Sequence, residues 1–236
     1  MRRNLELAFK VIYLLLTFVS FNVLFARHWY IPYISYAVVG FGIVVGTVRL
    51  FRIKNYLNAG IFLLLSFVFS YILGAINTVY YGYMDNIKAV IWMLIQYFII
   101  FAFDKTKDVK NERDILFKVY LLYTGIAAIV SMWMMVTKWT YYSRVEEIYW
   151  VQGGFIDNRL FGCYTDPNYG AIIAIVSIVL SLYFLIRDKD MKKIYKVLLI
   201  MNIVFEYLYI CYSDSRTGLL GVAACSFSLV FVWLSN

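Results

Sequence analysis

The sequence predicts an all-α, polytopic integral membrane protein of about eight transmembrane helices, with both termini in the cytoplasm. The 236 residues are 63% hydrophobic and 15% charged, with a mean hydropathy of +0.74, whereas a soluble domain is about half apolar and about a quarter charged. A window of about 19 residues divides the chain into apolar segments. The alternating ten-residue pattern of an outer-membrane barrel is not seen.

Eight apolar segments are the predicted membrane helices, because a span needs about 20 residues of apolar helix. The fourth and seventh are the shortest. No repeat or Pro/Gly/Ser-rich linker separates them, so we expect one transmembrane domain over residues 1–236. The segments run from Phe9 to Ala26, Tyr33 to Leu50, Ala59 to Val79, Ala89 to Phe103, Ile115 to Thr137, Tyr169 to Ile186, Val197 to Tyr212 and Thr217 to Ser235.

The distribution of basic residues orients the segments, because cytoplasmic loops are enriched in Lys and Arg. Assigning loops alternately from the N-terminus collects Arg2, Arg3, Lys10 and the runs "DKTKDVKNERD" and "RDKDMKKIYK" on one side. We therefore expect a multi-pass protein of the cytoplasmic membrane, and the net charge of +8 reflects topology rather than nucleic-acid binding. One histidine, His28, and three cysteines without CxxC spacing indicate no metal site.

The fourth outer loop, Lys138 to Asn168, is the longest and therefore the most informative. Its aromatic residues favour a helix on the membrane interface, with stacking against sugar rings as the alternative. The sequence "TDPNYG" predicts a turn into the sixth helix, with Asp166 or Thr165 as the cap and Pro167 at the first position. Arg159 then lies just before the chain re-enters the membrane.

A second outer turn, "YSDSRTG", puts Arg216 at the start of the last helix. Ser213, Asp214 and Ser215 are all good N-cap residues. A cation in the first turn opposes the helix dipole, and the outer side is poor in basic residues. These two unfavourable placements indicate a bound anion such as phosphate. The alternatives are an Arg that reaches the lipid headgroups or one paired with Asp214.

Glu206 lies in the middle of the seventh segment. An ionisable residue at such depth usually faces a polar cavity, so it is a functional candidate. The alternative is a neutral carboxyl that shares a hydrogen bond with Asn202, one helical turn away.

Two of these elements resemble those of a known superfamily. "YSDSRTGLLG" resembles the Ser-x-Ser-Arg-x-x-x-Leu-Gly element of the O-antigen ligase and Wzy-type polysaccharide polymerase superfamily. "NRLFGCYTDPNYGAIIAI" resembles its Gly-Arg-x-x-Gly-x-x-x-x-Pro-Asn segment, in the same order and at similar separation. The resemblance covers about residues 155–225.

The resemblance implies a membrane glycosyltransferase that acts on the outer face, without metal or other cofactor, on a polyprenyl-diphosphate-linked glycan. Arg216 would be the catalytic residue that holds the diphosphate and stabilises the charge growing on it, and Arg159 would be the second catalytic cation. Substrate binding is assigned to four further residues: Ser215, Asp214, Asn168 and Glu206.

We accordingly expect polymerisation of lipid-linked repeat units into a surface polysaccharide (capsule, exopolysaccharide or O-antigen). The expected partners are that glycan, the lipid bilayer and other membrane proteins of polysaccharide assembly. An O-antigen ligase and a transporter or flippase of lipid-linked sugars remain alternatives. Members of the superfamily continue into a large outer loop with a further Arg and, in ligases, a His. The resemblance therefore implies the N-terminal part of a longer protein, and leaves open whether it is an active enzyme.

Overall fold

In a computed structural model, the described residues are 2–25, 30–56, 59–77, 83–100, 102, 109–145, 149–188 and 190–235. Within them the chain forms eight α-helices and one antiparallel sheet of three strands in the order β1-β2-β3. A π-helical turn, Gln96–Ile100, continues the fourth helix. The elements are α1 Arg2–Ser20, α2 Ile31–Leu50, α3 Ala59–Asn77, α4 Tyr83–Ile95, α5 Val109–Val136, β1 Thr140–Val145, β2 Tyr149–Ile156, β3 Arg159–Gly162, α6 Pro167–Arg187, α7 Lys193–Tyr212 and α8 Arg216–Ser235.

Each of the eight predicted apolar segments overlaps one of these helices. Within the described residues, four helices are long and apolar enough to cross a membrane, and the prediction of a helical membrane protein is confirmed to that extent. Three predicted segment ends, at Ala26, Val79 and Phe103, lie outside the described residues, as does His28. The four helices are α2, α5, α6 and α7.

The loop from Lys138 to Asn168 holds the sheet, so the prediction of an interfacial helix for its aromatic residues is wrong. β1 and β2 pair from Thr140 opposite Gly154 to Val145 opposite Tyr149. Tyr, Trp, Thr and Val favour pleated strands, where aromatic and β-branched side chains pack well across neighbouring strands. Aromatic content alone does not distinguish a β-strand from an interfacial helix.

Contacts divide the chain into two compact units, the first comprising Met1–Leu16 and Trp29–Leu116 and the second Thr17–His28 and Phe117–Asn236. In the first unit an apolar core joins α1, α2, α4 and the π-helical turn. A Cβ at Gly42 would lie 2.9 Å from the Ile95 Cδ1 atom, so the glycine allows the helices to approach closely. The core residues are Phe9, Tyr13, Leu16, Val38, Val45, Ile95 and Ile99.

The first unit also buries a guanidinium. Arg49 Nη1 donates to the carbonyl oxygens of Phe98 at 2.7 Å and Ala102 at 2.9 Å. Its Nη2 contacts Glu6 Oε2 at 3.3 Å, and the guanidinium lies 4.4 Å from the centre of the Tyr56 ring. A carboxylate therefore neutralises the charge of Arg49, and its N–H groups satisfy one carbonyl in the π-helical turn and one just after it.

In the second unit, α6 packs against both α7 and α8. A Cβ at Gly218 would lie 2.8 Å from the Ala171 Cβ atom, and one at Gly221 would overlap Ile175. These glycines therefore allow α6 and α8 to approach closely.

The first helix ends earlier than its apolar segment because residues after Ser20 bond to the chain that follows β3. Val23 N donates to the Cys163 carbonyl at 2.7 Å, and Thr165 N donates to the Phe21 carbonyl at 3.1 Å. An extended bridge thus replaces the last predicted helical turn.

Candidate functional site

A tight turn positions Arg159 at the start of β3. Ile156 pairs with Arg159, and the two residues between them, Asp157 and Asn158, have φ angles of +50° and +61°. Two-residue hairpin turns with positive φ at both positions favour Asn, Asp and Gly. The sequence "DN" therefore places Arg159 directly after a short, well-defined turn.

β3 is anchored on α5 and α7. Tyr209 Oη donates to the Phe161 carbonyl at 2.9 Å, and Cys163 N donates to Ser131 Oγ at 3.0 Å. Gly162 has a φ of +62°, and a Cβ there would overlap the Ser131 side chain. Burial raises the pKa of the Cys163 thiol to about 11, because the apolar surroundings disfavour the thiolate.

The Arg159 guanidinium joins the starts of two helices. Its Nε donates to the Ser213 carbonyl at 2.7 Å, and its Nη2 lies 3.4 Å from Asn168 Oδ1. Ser213 lies in the turn before α8, and Asn168 lies in the first turn of α6. Among the described residues no carboxylate pairs with Arg159, so its charge is oriented by neutral groups and is not neutralised.

The start of α6 is capped as the sequence predicts. The Asp166 side chain accepts a hydrogen bond from Asn168 N at 2.8 Å, and Pro167 occupies the first helical position. The cap fixes the direction in which the chain enters the helix, and with it the position of the Asn168 side chain.

The start of α8 is capped by Ser215, whose Oγ accepts from Gly218 N at 3.1 Å. The expectation of a cap within Ser213 to Ser215 is thereby confirmed. Asp214 is exposed, with a φ of +49°. Arg216 is also exposed. In the part of the chain that the structure describes, its guanidinium has no hydrogen bond or ion pair, so the alternative of an Arg216–Asp214 pair is not formed there.

Together these elements make a site suited to an anion. Arg159 is bonded to the residue three positions before Arg216, so it contacts the turn that leads into α8. The starts of α6 and α8 add the positive ends of two helix dipoles. Guanidinium groups are suited to phosphate because they bind its oxygens bidentately.

Glu206 is not part of this arrangement. It is buried on α7, seven residues before Ser213, which is about 10 Å along a helix. Its Oε1 atom has no hydrogen-bond partner among the described residues. The structure thus brings together Arg159, Asn168 and the turn that holds Asp214, Ser215 and Arg216, and leaves Glu206 deeper in the bundle.

Two features of the second unit were not predicted. The acceptor for Arg159 is the main-chain carbonyl of Ser213, and a carbonyl carries no signal in a sequence. The hydroxyls of Thr124, Ser177 and Ser181 are all fully buried. The four-residue spacing of the two serines, matching that of Asn202 and Glu206, was the available signal for a polar helix interface.

Comparison of the chain with models of known protein families, with curated proteins and with solved structures finds no match. The chemistry of the site therefore rests on its own residues.

Proposed function

We propose that this chain is a multi-pass protein of the cytoplasmic membrane that polymerises polyprenyl-diphosphate-linked oligosaccharide repeat units into a surface polysaccharide. About eight helices would span the membrane, with both termini in the cytoplasm and the sheet on the outer side. The observation that carries the proposal is a pair of arginines, Arg159 in contact with residues at the starts of α6 and α8 and Arg216 as the first residue of α8. Arg159 is held by neutral groups, and Arg216 is exposed at the adjacent helix start.

The proposed reaction transfers a glycan from its lipid diphosphate to an acceptor sugar. The acceptor hydroxyl forms a bond to the anomeric carbon and loses its proton, while the bond from that carbon to the diphosphate oxygen breaks. The electron pair stays on the leaving diphosphate, whose negative charge grows in the transition state. Arg216 and Arg159 would stabilise that charge, and donors aimed at developing charge have large effects on rate.

The surface of α8 suits a lipid-linked substrate. Leu219 and Leu220 follow Arg216 by one turn and are 46% and 72% exposed, and Phe227 further along is 74% exposed. A polyprenyl tail would lie along these apolar side chains while its diphosphate meets the helix start. This arrangement lets the tail remain in the bilayer throughout the transfer.

The first test replaces the arginines in the producing cell. Arg216→Ala and Arg159→Ala should each lower polymer formation by about 10²–10³-fold, the usual effect of removing one donor to a developing charge. Arg216→Lys should remain strongly impaired, because an ammonium does not bind oxygens bidentately. The control is Arg187→Ala, at the opposite end of α6. Polymer length is read on gels, and membrane abundance of each variant is measured alongside.

The fate of the single repeat units distinguishes the alternatives. Polymerisation requires lipid-linked single units to accumulate on the outer face of the Arg216→Ala cells. Accumulation on the cytoplasmic face would instead indicate a flippase. Polymer that forms normally but no longer joins its acceptor lipid would indicate a ligase, and unchanged polymer would refute the role of the arginines.

The orientation is tested with single cysteines at two exposed positions, Tyr142→Cys on β1 and Asp190→Cys between α6 and α7. The background carries Cys211→Ser and Cys225→Ser. Native Cys163 is buried with a raised pKa and should stay unlabelled. An impermeant thiol reagent should label the β1 cysteine in intact cells and the other only after lysis. The reverse pattern would invert the proposed topology.

A further inference from the structure

A polar cluster lies inside the second unit, where α5, α6 and α7 face one another. The Thr124 and Ser177 hydroxyls are 2.7 Å apart, and Asn202 Nδ2 donates to Ser177 Oγ at 2.9 Å and to Ser181 Oγ at 3.0 Å. The three hydroxyl residues are completely buried. In the apolar interior of a membrane bundle such groups bond to each other, because neither lipid nor water satisfies them.

Glu206 belongs to this cluster. It is 2% exposed and lies four residues after Asn202, on the same face of α7. Two acceptor atoms of the cluster nevertheless have no donor among the described residues, namely Glu206 Oε1 and Asn202 Oδ1. Asn202 uses both of its amide hydrogens on the serines, so neither is left for these two oxygens.

No positive charge in the described structure compensates a Glu206 carboxylate. The titratable groups that interact electrostatically with Glu206 are the phenols of Tyr120 on α5, Tyr164 after β3 and Tyr209 on α7 itself. On the neighbouring elements, Arg159 begins β3 and bonds to Ser213, Arg187 ends α6, and Arg216 begins α8 in an exposed position.

An isolated carboxylate in such surroundings is strongly disfavoured. A single positively charged ligand would compensate the carboxylate and would also give the two unpaired oxygens a partner. Glu206 and Asn202 are four residues apart on α7 and so share one face of the helix. A hydrogen on the carboxyl turns Oε1 from an orphan acceptor into a donor, and Asn202 Oδ1 is the free acceptor on the same face. One proton thus satisfies two buried atoms and removes the uncompensated charge.

The cluster offers few open ligands for a metal ion. Its oxygens without a donor among the described residues are Glu206 Oε1 and Asn202 Oδ1. A sodium ion needs several oxygen ligands around it, whereas a proton needs only the two atoms it joins. Two open oxygens therefore favour the proton.

We propose that Glu206 is a proton-binding site within the helical bundle, standing at neutral pH as a carboxylic acid that donates to Asn202 Oδ1. The ligand is the proton itself. The site is separate from the anion site at the starts of α6 and α8, and does not depend on the proposed polymerase activity.

Infrared difference spectroscopy tests the charge state directly. The full chain is purified into ether-lipid nanodiscs, which lack ester carbonyls, and spectra of the wild type and Glu206→Gln are subtracted at neutral pH. The expected result is a carboxylic-acid carbonyl band in the wild type that shifts in D₂O and is absent from the variant. A carboxylate band in its place would overturn the proposal.

The pH dependence of the thermal midpoint is a second test. Raising the pH removes the proton and leaves a buried charge, so the thermal midpoint of the wild type should fall relative to that of Glu206→Gln, which cannot ionise. Asp190→Asn, at an exposed position, is the control and should follow the wild type. Parallel curves for wild type and Glu206→Gln would refute the proton site.

Thermal stability in different salts distinguishes a bound proton from a bound metal ion. The thermal midpoint of the wild type should be the same in sodium, potassium and N-methylglucamine chlorides at equal ionic strength. A rise specific to sodium that disappears in Glu206→Gln would show that a metal ion, and not a proton, occupies the cluster.

Discussion

The charged side chains of the two units differ in whether they have oppositely charged partners. In the first unit the buried cations meet carboxylates: Arg49 contacts Glu6, and Lys10 contacts Glu112. Among the described residues of the second unit, neither Arg159, Arg216 nor Glu206 has an oppositely charged partner. In the first unit charge therefore holds helices together, whereas the arginines Arg159 and Arg216 of the second unit are not neutralised by any described residue.

The difference has an energetic meaning. Removing one partner of a buried pair leaves an uncompensated charge in an apolar interior and is strongly destabilising. Removing an unpaired, exposed charge changes the fold little. Stability and ligand binding should therefore respond to different arginines, and the comparison of the two units can be tested by substitution.

The largest effect is expected for Arg49→Ala. It removes the guanidinium that contacts the Glu6 carboxylate and leaves the carbonyls of Phe98 and Ala102 without that donor. The free energy of unfolding should fall by about 3–5 kcal/mol. Tryptophan fluorescence during denaturation in micelles measures it, with exposed Arg52→Ala as the control. A loss equal to that of the control would mean that the pair is not structural.

A smaller loss is expected for Gly170→Ala in the second unit. The new methyl would overlap Tyr209 Oη and lie 2.6 Å from the Tyr164 ring, so it displaces the tyrosine that anchors β3. Overpacking of this kind lowers the free energy of unfolding by about 1–3 kcal/mol. The matched control is Gly40→Ala on α2, where a Cβ meets nothing within 4 Å.

The two glycine substitutions should change the free energy of unfolding in opposite directions. Gly40→Ala should raise the free energy of unfolding by about 0.5–1 kcal/mol, because alanine loses less conformational entropy in a helix. Equal effects at both positions would show that the close approach at Gly170 does not constrain the site.

Asp166→Ala removes the cap of α6 and should lower the free energy of unfolding by about 1 kcal/mol. Because Asn168 N loses its acceptor, polymer formation should fall as well if Asn168 orients Arg159. The control is Asp188→Ala at the other end of the same helix, where a carboxylate opposes the dipole and its loss is not destabilising. Unchanged stability in Asp166→Ala would contradict the cap.

The smallest effect on stability is expected for Arg216→Ala. The side chain is exposed and has no ion pair with any described residue, so the free energy of unfolding should change by less than about 0.5 kcal/mol. The same denaturation experiment measures it. A loss comparable to that of Arg49→Ala would show that Arg216 is part of a structural pair, and would end the contrast between the units.

Local signals in the sequence predicted much of this structure. The apolar segments identified the helices, and Asp166, Pro167 and Ser215 marked the starts of α6 and α8, because capping and proline chemistry act within a few residues. The sheet was missed because its aromatic residues suit both a strand and an interfacial helix. The Arg49–Glu6 pair joins residues 43 positions apart, and no local pattern reports such a contact.

The bond from Arg159 to the Ser213 carbonyl has a consequence for how such a site can vary. A main-chain oxygen is supplied by every amino acid, so the acceptor survives any replacement at position 213 that preserves the path of the turn. Only a change in backbone shape, such as an insertion between α7 and α8, would take it away. Chains that keep this contact can therefore differ at position 213, provided that the turn between α7 and α8 keeps its length and path.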